Sequence, residues 1–227
     1  DHPPFHAWLL GLSSALFGHS LLSLRWMTLA TMAGVFWIFA EWAKRFAGAE
    51  WREPFWRAVA ICLASPTFGF FFSLAYHDYL LVFLCLVATH LFLEVLTTFR
   101  ESGRLRLLPL YGGALALGLA GLTKYNGVFL GLALVAVLLT NRPLRPLLRS
   151  IHVWLAGALA IAMQAPVLIW NLQHGFASFR FHLVERHPQD WLARINPWTL
   201  GDFIFTSALL VSPFLIYGVI RFIAARS

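Results

Sequence analysis

The sequence predicts an all-α fold: a polytopic transmembrane helical bundle of about seven spans plus an outer interfacial helix, truncated at both ends. Three observations lead there. The 227 residues are 59% hydrophobic and 12% charged, with a mean hydropathy of +0.72, far from the balance of a soluble domain. The apolar residues gather into seven runs near the ~20 residues that cross a hydrocarbon core. Lys and Arg are split unevenly between alternate joints of those runs. Soluble enzymes, disordered chains and water-soluble nucleic-acid binders are excluded together, because 17 basic and 10 acidic side chains cannot cover so much apolar area.

The chain opens Asp1-His2-Pro3-Pro4, with no basic segment or apolar core before it, so it reads as a fragment and not as a signal peptide. Phe5–Phe17 is too short to cross a bilayer. Its Phe5, Trp8, Leu9, Leu12 and Leu16 recur at helical spacing opposite His6 and Ser13, with Pro4 suited to the first turn. Residues 1–20 are therefore expected to form an outer loop and an interfacial helix. The spans are expected at Leu21–Ala40, Arg57–Tyr76, Tyr79–Phe99, Leu105–Thr123, Tyr125–Leu139, Ile151–Trp170 and Leu200–Ile220. Residues 171–199 form the longest outer loop and are expected to cover the site. Its aromatic content argues for an ordered cover, with a short helix through Phe179, Leu183 and Arg186 ending before Pro188. All 227 residues are read as one transmembrane domain.

Of the 17 basic residues, twelve fall on one side of this topology (Lys44, Arg45, Arg52, Arg57, Arg100, Arg104, Arg106, Arg142, Arg145, Arg149, Arg221, Arg226) and five on the other. The first side should be cytoplasmic, so the net charge of +7 records orientation and not a nucleic-acid partner. Nine of the ten tryptophans, all but Trp37, lie near span ends or in interfacial segments, as expected for an indole between tails and headgroups. Cys62 and Cys85 lie inside apolar runs and imply neither a disulfide nor a redox role.

This orientation sends the versatile side chains to the outer face. Asp78, in His77-Asp78-Tyr79, holds a carboxylate at the joint of two spans, which marks either a site or a helix cap. Lys124, in Leu122-Thr123-Lys124-Tyr125-Asn126-Gly127, sits in a hairpin turn whose return arm has about 15 apolar residues, short for the ~30 Å core. The turn is thus drawn inward, and the ammonium suits a phosphate unless it snorkels to the headgroups. In the stretch Trp170–Phe181, aromatics cover an apolar surface while Asn171, His174 and Arg180 are available to a polar ligand, or the whole stretch lies on headgroups. No nucleotide is required, and the sequence fixes no cofactor. A divalent metal is left open, since His2 and His6 at i, i+4 with Asp1 make half a site, but no spacing matches a zinc signature.

Four stretches carry a resemblance: Asp1-His2-Pro3-Pro4-Phe5 followed by Phe17-Gly18 and Arg25; His77-Asp78-Tyr79-Leu80; Gly118–Gly127; and Trp170–Phe181. In this order the chain resembles the membrane glycosyltransferases of the C-type superfamily, in the bacterial branch related to family 39 protein mannosyltransferases and lipid A aminoarabinose transferase. The resemblance implies an inverting transferase that moves a sugar from a polyprenyl-phosphate donor to a lipid, glycan or protein acceptor. It implies a place in the bacterial inner membrane, with the site facing the periplasm. It also implies a general base in an Asp-Glu pair upstream of the Pro-Pro element. Asp1 is the nearest carboxylate but does not match that position, which leaves Asp78 to orient the acceptor or a cation. Lys124 and Tyr125, with His2, Asn171, His174 and Arg180, are the expected substrate-binding residues. The competing class is a transporter or lipid flippase using His90, Glu94 and Lys124, although no pair of related halves is visible.

Overall fold

The computed structural model describes residues 3–65, 76–181, 185, 197–211 and 213–224. Among them every regular element is helical. In order these are α1 (Phe5–Phe17), α2 (Leu21–Ala47) leading into a 3₁₀ turn (Gly48–Glu50), α3 (Arg52–Ala64), α4 (His77–Ser102), α5 (Leu107–Thr123), a 3₁₀ turn (Tyr125–Gly127) opening α6 (Val128–Thr140), a longer 3₁₀ segment (Arg142–Arg149), α7 (Ile151–Ala162), α8 (Ala165–Gln173), the single turn α9 (Ala177–Arg180), α10 (Pro197–Val211) and α11 (Pro213–Ala224).

The expected spans correspond to helices of unequal length. Leu21–Glu50 and His77–Ser102 are long and apolar enough to cross a membrane alone, and two further bent pairs qualify only if each counts as one span. The expected span Ile151–Trp170 is such a pair, bent by 43° between α7 and α8. Pro166 lies in the first turn of α8 and has no N–H to continue the ladder from α7. The bend is held by Gln164, whose Nε2 donates to Gly118 O at 2.8 Å and Ala160 O at 3.3 Å. The second half of the expected span Arg57–Tyr76 lies outside the described residues, and so does most of the expected helix within 171–199, of which α9 is the described part.

The chain divides into two compact units, Asp1–Ile38 with Ala75–Ser178, and Phe39–Leu74 with Phe179–Ser227. In the first unit α4 and α5 form an antiparallel pair. α4 stops because Gly103, at φ 67°, takes the left-handed conformation and returns its N–H to Phe99 O, a closure that costs glycine no steric penalty. α5 is rich in Gly and Ala, and this lets neighbours approach its backbone. A Cβ on Gly113 would lie 2.8 Å from the Phe92 ring of α4, and one on Gly118 would lie 2.5 Å from Met163 Sδ. Ala88, Phe92, Val95, Leu110, Ala114, Ala116 and Ala156 make the resulting core. α1 is seated on one end of this pair through Phe5 and Leu9, which pack on Leu80, Leu84 and Ala120.

In the second unit, Glu41 pairs with Lys44 at 2.7 Å and Glu53 with Arg57, while Lys44 stands over the Trp51 ring. α10 and α11 pack on each other. Large apolar side chains lie exposed along whole helices, including Val128, Phe129, Leu132 and Leu139 on α6 and Ile204 and Phe205 on α10. That pattern is costly in water and natural against acyl chains.

Candidate functional site

α5 ends at Thr123, which is fully buried and returns its hydroxyl to Leu119 O at 2.8 Å. Lys124 then swings into an extended conformation (φ −158°, ψ 140°). The tight turn behind it closes with Gly127 N–H donating to Lys124 O at 2.9 Å. Gly127 is required there by space, because a Cβ would lie 2.7 Å from the backbone of Ala120 and Gly121. The chain therefore folds flat against α5, and Lys124 stands at the rim of the bundle.

α4 begins at His77, two residues earlier than hydropathy alone suggests. Asp78 consequently sits inside the first turn, where the helix dipole favours a carboxylate, and it does not occupy the N-cap position, which is Tyr76. Its Oδ1 accepts a hydrogen bond from Lys124 Nζ at 2.6 Å. The two side chains are 37% and 25% exposed, so the pair is neither freely solvated nor sealed. His77 Nε2 lies 3.3 Å from Asp78 Oδ2, an ion-pair distance once the ring is protonated. The His77 ring stacks on Tyr76 and meets His6 of α1 edge-on at 6.1 Å. Burial pushes the His6 pKa below its ordinary value, which keeps that imidazole neutral near pH 7.

Beside Tyr125, the neighbour of Lys124, a cavity of about 370 Å³ is lined by Pro4, Trp8, Tyr125, Pro166, Trp170 and Asn171, among others. Its walls are mostly aromatic rings and prolines, as in many ligand sites.

The structure thus brings together Asp78, Lys124 and Tyr125. Asn171 also reaches the cavity wall, but its amide is engaged internally: Nδ2 donates to Val167 O at 2.9 Å and Oδ1 accepts from Ser178 N–H at 3.1 Å. It fastens the turn His174-Gly175-Phe176, where Gly175 and Phe176 both have positive φ. His174 is exposed, stacked on Trp170 at 4.3 Å with Nδ1 2.8 Å from Trp170 O. Arg180 belongs to the second unit and pairs with Glu185 at 3.2 Å. Asp1 and His2 lie outside the described residues. Among the described residues no three His, Cys, Asp or Glu side chains cluster so as to hold a metal. Glu94, considered for a permeation path, pairs with Arg106.

Sequence reasoning passed over His77 and Trp8 as site residues. The signal for His77 was its adjacency to Asp78. Trp8 carries none, because it is the packing of α1 that brings it to Tyr125 and Trp170.

No curated protein and no solved structure matches the chain. The model of the dolichyl-phosphate-mannose-protein mannosyltransferase family matches residues 1–170, a stretch that includes Asp78, Lys124 and Tyr125 and ends just before Asn171. With 170 of its 227 residues matched, the chain belongs to the dolichyl-phosphate-mannose-protein mannosyltransferase family, and it is an integral membrane glycosyltransferase of the mannosyltransferase kind.

Proposed function

We propose that the protein transfers a sugar from a polyprenyl-phosphate carrier to a hydroxyl of a lipid, glycan or protein acceptor at the outer face of the membrane, with inversion of the anomeric carbon. The acceptor oxygen bonds to C1 as the C1–O bond to phosphate breaks. The hydroxyl proton passes to a carboxylate, and the departing polyprenyl phosphate gains negative charge. The observation that carries the reading is the 2.6 Å pair of Lys124 and Asp78, two ionisable groups brought to one rim of an apolar bundle from positions 46 residues apart. Ionisable groups held at the ends of apolar spans usually serve a site, and a cation there answers the charge that develops on the leaving phosphate. Asp78, with one oxygen committed to Lys124, orients that cation. The resemblance assigns the base to an Asp-Glu pair upstream of Pro3-Pro4. The aromatic cavity beside Tyr125 suits the isoprenoid next to the phosphate.

The test uses the full-length protein in nanodiscs with polyprenyl-phosphate mannose labelled in the sugar. The expected outcome is release of polyprenyl phosphate together with a labelled product, and a matching glycolipid or glycan missing from extracts of cells without the gene. Turnover supported by a sugar nucleotide but by no polyprenyl-phosphate sugar would sink the reading.

A further inference from the structure

At the end of the first unit opposite Lys124 and Asp78 lies a second concentration of charge. α4 has 26 residues, which at ~1.5 Å each carries the chain about 39 Å from the Asp78 end. The Arg142–Arg149 segment lies at that far end. Its three-residue period stacks Leu144 over Leu147, and both are buried with Leu138 against Leu96, Phe99 and Leu105. The opposite consequence of that burial is that Arg142, Arg145 and Arg149 are all exposed. Arg145 is fixed by its Nε, which donates to Leu139 O at 2.8 Å, a bond that uses one of its five N–H donors. The sequence contains no Asp or Glu between Glu101 and Glu185, and the nearby Glu94 is occupied by Arg106.

Directly beyond the arginines, α7 exposes Ile151 (64%), Trp154 (63%) and Leu155 (50%). The Trp154 indole is held in place by its Nε1–H bond to Leu148 O at 2.8 Å. Guanidinium groups beside a lipid-facing apolar strip make an amphiphilic surface: a charged anchor for a head and a wall for tails.

We infer that Arg142, Arg145 and Arg149, with the Ile151–Trp154–Leu155 strip, form a binding site for an anionic phospholipid, separate from the sugar-transfer site. The phosphodiester sits against the arginines, which match it bidentately, and the acyl chains lie along the strip. A zwitterionic lipid carries its own cation to the same place and gains less. The site does not depend on the transferase reading, because it uses none of the residues at the Lys124 end.

The experiment is native mass spectrometry of the full-length protein released from detergent with equal phosphatidylglycerol and phosphatidylcholine, alongside melting curves with each lipid. Wild-type protein should retain phosphatidylglycerol at least tenfold over phosphatidylcholine, and its melting temperature should rise with phosphatidylglycerol only, an effect weakened by salt. The triple variant Arg142→Gln/Arg145→Gln/Arg149→Gln should lose that preference while melting like wild type in detergent alone. Equal retention of the two lipids by wild type would overturn the inference without any variant. Undiminished preference in the triple variant, or equal stabilisation by inorganic phosphate, would overturn it as well.

Discussion

Replacing Lys124 by Met removes the cation and leaves Asp78 at the rim of the bundle without its partner. Breaking a fully buried pair costs about 3–5 kcal/mol and an exposed one about 0.2–1 kcal/mol. The Lys124–Asp78 pair is 25% and 37% exposed, so the expected loss lies between these limits, about 2 kcal/mol. If Lys124 also receives charge from the departing phosphate, its removal should cost about 2.7–4 kcal/mol in the transition state, a drop in kcat of roughly 10²–10³. The double variant Asp78→Asn/Lys124→Met separates the two effects. A lysine that only neutralises Asp78 would be dispensable once the carboxylate is gone, and both stability and rate would return. A lysine that meets the phosphate predicts recovered melting temperature with kcat still depressed. The assay is sugar transfer from polyprenyl-phosphate mannose in nanodiscs, with melting followed on the same preparations. Wild-type kcat in the double variant, or in Lys124→Met itself, would refute the phosphate role.

Gly127→Ala tests the turn behind Lys124. Its φ of −56° suits any residue, so the whole effect comes from the Cβ 2.7 Å from the α5 backbone, and a loss of about 1–3 kcal/mol is expected in melting experiments. Asn171→Ala removes a buried amide that serves two backbone groups and leaves Ser178 N–H unanswered, for about 1–3 kcal/mol. Proteolysis around His174 should accelerate in that variant. Cysteines introduced at His174 and Arg104, exposed at opposite ends of the first unit, should respond differently to an impermeant thiol reagent: His174→Cys labelled from outside and Arg104→Cys only after permeabilisation. The reverse pattern would put the Lys124 end on the cytoplasmic face.

What was legible in the sequence follows from terms that are local or summed. Hydropathy and charge fix a helical membrane protein because runs of about 20 contiguous apolar residues suit a helix that satisfies its own hydrogen bonds in lipid, whereas a barrel strand needs only about 10 residues of alternating polarity. Asp78 and Lys124 stood out because an ionisable group next to an apolar run is costly wherever its neighbours come to lie. Helix ends were less legible. α4 starts at His77, two residues before the apolar run, and α8 runs through Gln173 to the positive-φ Gly175 (φ 60°), so neither end falls at the edge of an apolar run.

The sequence by itself determined the class, the likeness to a transferase family and the two charges most exposed to question. Only the tertiary structure decided that these charges meet. Their 2.6 Å contact depends on α4 and α5 lying close along Gly113 and on Gly127 folding the next turn against Ala120, steric conditions between residues far apart in the chain. The same holds for Asn171, whose amide could have faced a ligand until the turn to Ser178 closed on it. Composition and spacing sum over single residues, whereas these outcomes depend on pairs that only packing brings into contact.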